Sequence, residues 1–135
     1  MFNSIPAALI AHYRAGAFFT DALTAYPNEA FSQAKPKPPT TVAWASVFNI
    51  PATTAALSLS DSDEMPGVFQ IDLNYPLNKG AGATQAMAQQ IRAHFKRGTR
   101  VSGVEIGAVS YVPLGPVAGW YRGVVSVEYR GFAGL

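Results

Sequence analysis

Asn78-Lys79-Gly80-Ala81-Gly82-Ala83-Thr84 puts a lysine, two glycines and a hydroxyl between a strand-like and a helix-like stretch. Phosphate cradles use those residue types at such a junction, because open backbone amides at a helix start attract an anion. The order here departs from the known forms. A Walker A loop needs Gly-Lys-Ser/Thr at the mouth of the helix, whereas Lys79 precedes both glycines. The dinucleotide fingerprint needs a third glycine, and Gln85 stands in its place. The glycines therefore read as a bend from strand to helix, with Thr84 near the cap.

The other reactive residue types are as sparse. His12 and His94 are both expected on helices and belong to no metal-ligand pair, and no serine lies in a nucleophile-elbow context. Asp61-Ser62-Asp63-Glu64 reads as a solvated acidic turn without EF-hand spacing. The chain has no cysteine, which excludes a disulfide framework, a thiolate metal site and a cysteine nucleophile. Lys79, Arg92, Lys96, Arg97 and Arg100 gather around the second helix, and Arg122 and Arg130 lie near Trp120 and Tyr121. Such a mixture could track a phosphate backbone; a solvated face explains it equally well. None of this argues for catalysis, so the expectation is a non-enzyme without cofactor or metal.

The elements that carry these residues follow from pattern. Ser4 and Pro6 suit a helix start, and Ile5, Leu9 and Tyr13 recur on one helical face. Thr20-Asp21 could cap a second short helical piece through residues 22–25. Residues 32–40, SQAKPKPPT, are proline-rich and extended, a linker or an arm against a neighbouring subunit. Residues 41–48 read as a strand covered on both faces, and 56–60 as a short one. Phe69, Ile71, Leu73 and Tyr75 alternate with Gln70, Asp72 and Asn74, and Pro76 closes that strand. Residues 84–95 form a helix with Met87, Ile91 and Phe95 in one stripe and Gly98 just past its end. A strand follows from residue 104 towards 111, then a loop over 112–116, then an alternating strand over 120–130. The expected fold is α+β: a mainly antiparallel sheet of four or five strands with helices packed on one face.

One domain spanning residues 1–135 fits the length. Only 13% of residues are charged, where about 25% is usual. A small globule with so few charges is expected to bury part of its outside against copies of itself or other proteins. The net charge of +2 does not mark a nucleic-acid binder. The N-terminal residues lack a signal-peptide pattern and no apolar run approaches a membrane span, so a soluble protein made in the cytoplasm, without membrane contact, is expected.

The order of landmarks resembles a known family. Tyr26-Pro27-Asn28, Phe31 and Pro38-Pro39 precede the first strand. Gly67-Val68-Phe69-Gln70-Ile71-Asp72-Leu73, Tyr75-Pro76 and Gly80-Ala81-Gly82 follow, then Ala88, Ile91 and Phe95 on the helix and Gly98-Thr99 at its end. Val104-Glu105-Ile106 and Gly119-Trp120-Tyr121 complete the set. In this order, from about residue 20 to 130, the chain is similar to the tail terminator proteins of long-tailed, lambda-like (siphovirus-type) bacteriophages. The resemblance implies a structural virion protein without active-site residues. Such proteins cap the tail tube as a ring, typically of six subunits, stop its polymerisation and present a surface to the head–tail connector or neck protein. Partners would be the chain itself, the tube protein and the connector. Genome DNA would pass through the lumen without sequence-specific binding. The place would be the head-proximal end of the tail, after assembly in the host cytoplasm.

Two site expectations go with this reading. Lys35, Pro36, Lys37, Pro38 and Pro39 are expected to supply one subunit interface. Lys79, Arg97 and Arg100 are expected to face the lumen. The alternatives are another neck or tail-completion protein, or a small nucleic-acid-binding domain. A nucleotide-using enzyme comes third.

Overall fold

A computed structural model describes residues 4–19, 23–26, 43–51, 64–77, 80–117 and 119–132. Helix α1 (Ser4–Ala15) is followed by strands β1 (Thr24–Ala25), β2 (Trp44–Pro51) and β3 (Glu64–Pro76), helix α2 (Gly80–His94), and strands β4 (Arg100–Val101), β5 (Val104–Val117) and β6 (Trp120–Phe132). The strands form one curled sheet in the order β1-β2-β3-β6-β5-β4. Every neighbouring pair is antiparallel except β1 with β2, which is parallel.

The period-two pattern of β3 decides which face is inside. Phe69, Ile71 and Leu73 are fully buried, and their ladder partners Val47, Ala45, Val125 and Val127 lie beneath the helices with them. Leu9 and Tyr13 of α1 and Ala88 and Ile91 of α2, with Phe95 just beyond it, close the core from above. Each fully buried Leu, Ile or Phe side chain contributes roughly 1.5–3 kcal/mol of transfer free energy. Both helices therefore cover one sheet face, as the pattern predicts. The opposite face carries no helix among the described residues.

The α+β class holds, and the strand count is corrected to six. The additional strands are β1 and β4, two residues each, too short to show any period. The helical piece expected over 22–25 is overturned at Thr24–Ala25, which pair with Ala45 and Ser46 of β2. Tertiary packing wins there: Thr24 and Tyr26 are buried, and the Thr24 and Tyr13 hydroxyls bond at 3.0 Å. The glycines lie not in a loop before α2 but in its first turn, so the helix begins at Gly80 rather than Thr84. The loop expected over 112–116 is strand, because β5 and β6 stay paired to Val117 and Trp120 with a register shift at Pro113/Gly115. Gly115 has φ +78°, a conformation natural to glycine at a bulge. The strand expected over 56–60 falls outside the described residues.

Candidate functional site

The glycines of α2 start the helix without forming a cradle. A Cβ added at Gly82 would meet nothing within 4 Å, so no group approaches its backbone closely. Lys79 lies outside the described residues. The close approach lies instead at Gly123 on β6, where an added Cβ would come within 2.6 Å of the Tyr111 ring and 2.9 Å of Thr84 Cγ2. Thr84 is fully buried at that contact, anchoring the first turns of α2 to the sheet.

The two histidines meet at the C-terminal ends of the helices. Their rings stack at 4.0 Å with an interplanar angle of 16°. His12 Nε2 bonds the His94 carbonyl at 3.0 Å, and His94 Nε2 bonds the His12 carbonyl at 2.7 Å. A carbonyl only accepts, so each Nε2 carries a proton and donates it. The Phe95 ring abuts His12, and the Phe18 ring abuts His94, both edge-on. This is a clasp between α1 and α2, which accounts for both histidines structurally. No group of three or more His, Asp or Glu residues positioned to hold a metal occurs among the described residues.

The basic residues separate into two kinds. Arg122 and Arg130 are bound to neighbours. Arg122 Nε donates to Asn74 Oδ1 at 2.7 Å, while buried Asn74 donates to the Trp44 carbonyl at 3.4 Å. Arg130 bonds Glu105 at 3.2 Å. Trp120 is buried, edge-on to Trp44 with centroids 6.0 Å apart. The aromatic and basic cluster near the last strand is thus folded into the sheet and offers Trp120 to no base. Arg92, Lys96, Arg97 and Arg100 are exposed. Arg97 borders a groove of about 530 Å³ with Glu105, Glu128 and Arg130, and Arg100 stands across from Glu105 in the ladder. Cations and carboxylates interleave on that side, giving a mixed potential. Of the residues expected to be functional, Arg97 and Arg100 therefore fall near one another around the end of α2. Lys35, Pro36, Lys37, Pro38 and Pro39 lie outside the described residues.

Burial raises the hydroxyl pKa of Tyr75, Tyr111 and Tyr129. Tyr121 adds to the rise at Tyr111, and a hydrogen bond to Asn49 offsets part of it at Tyr129. That bond, 2.5 Å long, joins β6 to β2 across β3, directly above Gly67, where any Cβ would strike the Tyr129 ring. No helix is long and apolar enough to cross a membrane among the described residues.

The exposed large apolar side chains are the feature that sequence reasoning missed. Among the described residues they are Phe48, Ile50, Leu77, Val112, Leu114 and Val117. Five of the six lie on β2 and β5. A strand reading of 112–116 would have found the second group, but Pro113, Gly115 and Pro116 obscure it.

A family model described as phage tail terminator protein matches residues 4–129. No curated protein sequence matches the chain. Three chains of solved structures match it. One of them, whose designation names no function, aligns with a TM-score of 0.67 at 20% identity, covering 96% of this chain and 94% of that one. At that identity the likeness shows the fold alone.

Proposed function

The chain belongs to the phage tail terminator protein family, and we propose that it caps the tail tube as a ring, ends tube growth and offers its far side to the head–tail connector. Membership makes it a tail-completion protein, a structural component of the virion tail. The proposal adds to that membership a ring, its six-fold count and its head-proximal place. The observation that carries it is the family match over residues 4–129. Two physical features support it. The surface has few charges for a small domain, which suits extensive subunit contacts. Exposed apolar side chains concentrate on two separate strands, as a heterologous interface requires.

Within this reading, residues 35–39 strap one subunit to the next, and Lys79, Arg97 and Arg100 face the lumen. The carboxylates around Arg97 keep that wall from gripping DNA, since a strongly basic lumen would hold the passing phosphate backbone. Assembly takes place in the host cytoplasm.

The test is to add the purified protein to polymerising tail tubes and image them by electron microscopy. Growth should stop, with the protein on one tube end. Tubes that lengthen unchanged would overturn the reading. Protein found on connectors and not on tube ends would favour a neck protein instead.

A further inference from the structure

We infer that subunits join edge to edge, β2 of one copy adding antiparallel to β5 of the next, so that the sheet continues around the ring. This rests on the ring reading above and names the interface that reading leaves open.

The first ground is the coverage of the two edges. At one edge, β1 covers β2 only at Ala45 and Ser46. At the other, β4 covers β5 only at Val104 and Glu105, with Gly98 and Thr99 bonding Ile106. Among the described residues, positions 47–51 of β2 and 107–117 of β5 have no strand on their outer side. Long uncovered edges template pairing with another chain, and natural proteins shield them unless pairing is wanted.

The second ground is level. Phe48 pairs with Gln70, Gln70 with Ser126, and Ser126 with Ser110. One row further along, Asn49, Phe69, Val127 and Val109 are joined the same way. Residues 47–49 of β2 thus share rows with residues 109–111 of β5, while Val112 shares its row with Ser46, where β1 lies. A copy placed alongside would bring together the two edges that the described residues leave uncovered.

The third ground is direction. Three successive antiparallel pairings separate β2 from β5, so the two strands run oppositely. Rotation about a ring axis keeps that relation, so the new pair is antiparallel, the form with straight hydrogen bonds. The two edges differ, so the contact is head-to-tail and able to close.

The fourth ground is surface chemistry. Phe48 and Ile50 stand on the helix-free side of the β2 edge, and Val112 on the same side of the β5 edge. With Phe48 opposite Ser110, neighbouring strands would set Phe48 diagonally beside Val112, within the reach of cross-strand apolar pairs. On the helix side, a groove of about 230 Å³ runs between α2 and β5, with Ala88, Val109 and Tyr111 below and Gln85, Gln89 and Arg92 at its rim. An incoming strand has room there.

Cysteine cross-linking tests this directly, because the full chain has no cysteine of its own. Within one copy, Phe48 and Ser110 lie three strand spacings apart, about 14 Å, beyond the roughly 7 Å that a disulfide spans. The double variant Phe48→Cys/Ser110→Cys is oxidised at a concentration where light scattering finds oligomer, then run on a denaturing gel. A covalent ladder ending at six is expected, with none from either single variant. Ile50→Cys/Ser110→Cys and Phe48→Cys/Val112→Cys cover a two-residue register slip. Oligomer of the expected mass without a ladder in any double variant would overturn the edge pairing and leave the ring standing. Covalent dimers from Ser110→Cys alone would overturn it in favour of a two-fold β5 contact. Monomer at every concentration, with tube ends present, would overturn the ring reading and this inference together.

Discussion

At the scale of single residues, the histidines have a use that their spacing does not announce. His12 and His94 each donate to the other's backbone carbonyl. Replacing His12 by Phe keeps an aromatic ring at the stack and removes one donor. It should cost about 1 kcal/mol, up to roughly 3 if the His94 carbonyl is left without a partner, read as a lower melting temperature. An unchanged melt would mean the clasp is idle. Gly123 is fixed by space: Gly123→Ala should cost about 1–3 kcal/mol by overpacking against Tyr111 and Thr84, measured by denaturant unfolding. The raised tyrosines set an alkaline limit. Burial favours the neutral hydroxyl of Tyr75, Tyr111 and Tyr129. Their contribution is full below the unfolded value, about 10, and is lost as pH rises through the higher folded values. Thermal stability should therefore fall above about pH 10, and Tyr75→Phe should soften that fall. A profile identical to wild type would contradict this account. A lone pair of distant histidines cannot announce a reciprocal contact, because 82 positions separate them and the fold alone brings them together.

At the scale of elements, sequence pattern revealed those with a sustained period. The alternation of Phe69, Ile71 and Leu73 marked β3, and the stripe of Ile91 and Phe95 marked the inner side of α2. Gly98, expected just past the end of that helix, lies instead four residues beyond His94 in the turn before β4, with φ +89° and its N–H bonding the Ile106 carbonyl. The pattern gave way where pairing overrides local preference. Pro113, Gly115 and Pro116 look like a loop, yet β6 holds them in the sheet by placing a bulge at Gly115. Proline is tolerated on β5 because, among the described residues, one side of this strand lacks a partner over 107–117. Gly115→Val would force a β-branched residue to φ +78°, costing roughly 1–3 kcal/mol. Hydrogen exchange should then show faster opening of residues 113–117 while β3 and α2 keep their protection. The short β4–β5 hairpin also escaped notice. Its two-residue turn, Ser102-Gly103, has positive φ at both places, 49° and 83°, the hairpin preference for a left-handed pair.

At the scale of the whole molecule, the low proportion of charge and the uncovered edges point the same way. The low charge was legible in composition, and it led to the expectation of subunit contacts before any strand was placed. The location of those contacts was not legible, because it depends on which strands end up at the edges of the sheet. A charge on one edge should separate assembly from folding. Phe48→Lys places a solvated cation at an exposed position of β2, so its stability, measured at a dilution where both proteins are monomeric, should stay within about 0.5 kcal/mol of wild type while oligomers disappear at higher concentration. Oligomers that survive it would count against the edge contact. The central claim, a ring, is most directly tested by the mass in solution measured by light scattering over rising protein concentration. One chain is 14.3 kDa, and six would weigh about 86 kDa, as a closed heterologous ring predicts. A species that settles near that mass and grows no further is the predicted result. A dimer that persists at every concentration would contradict it.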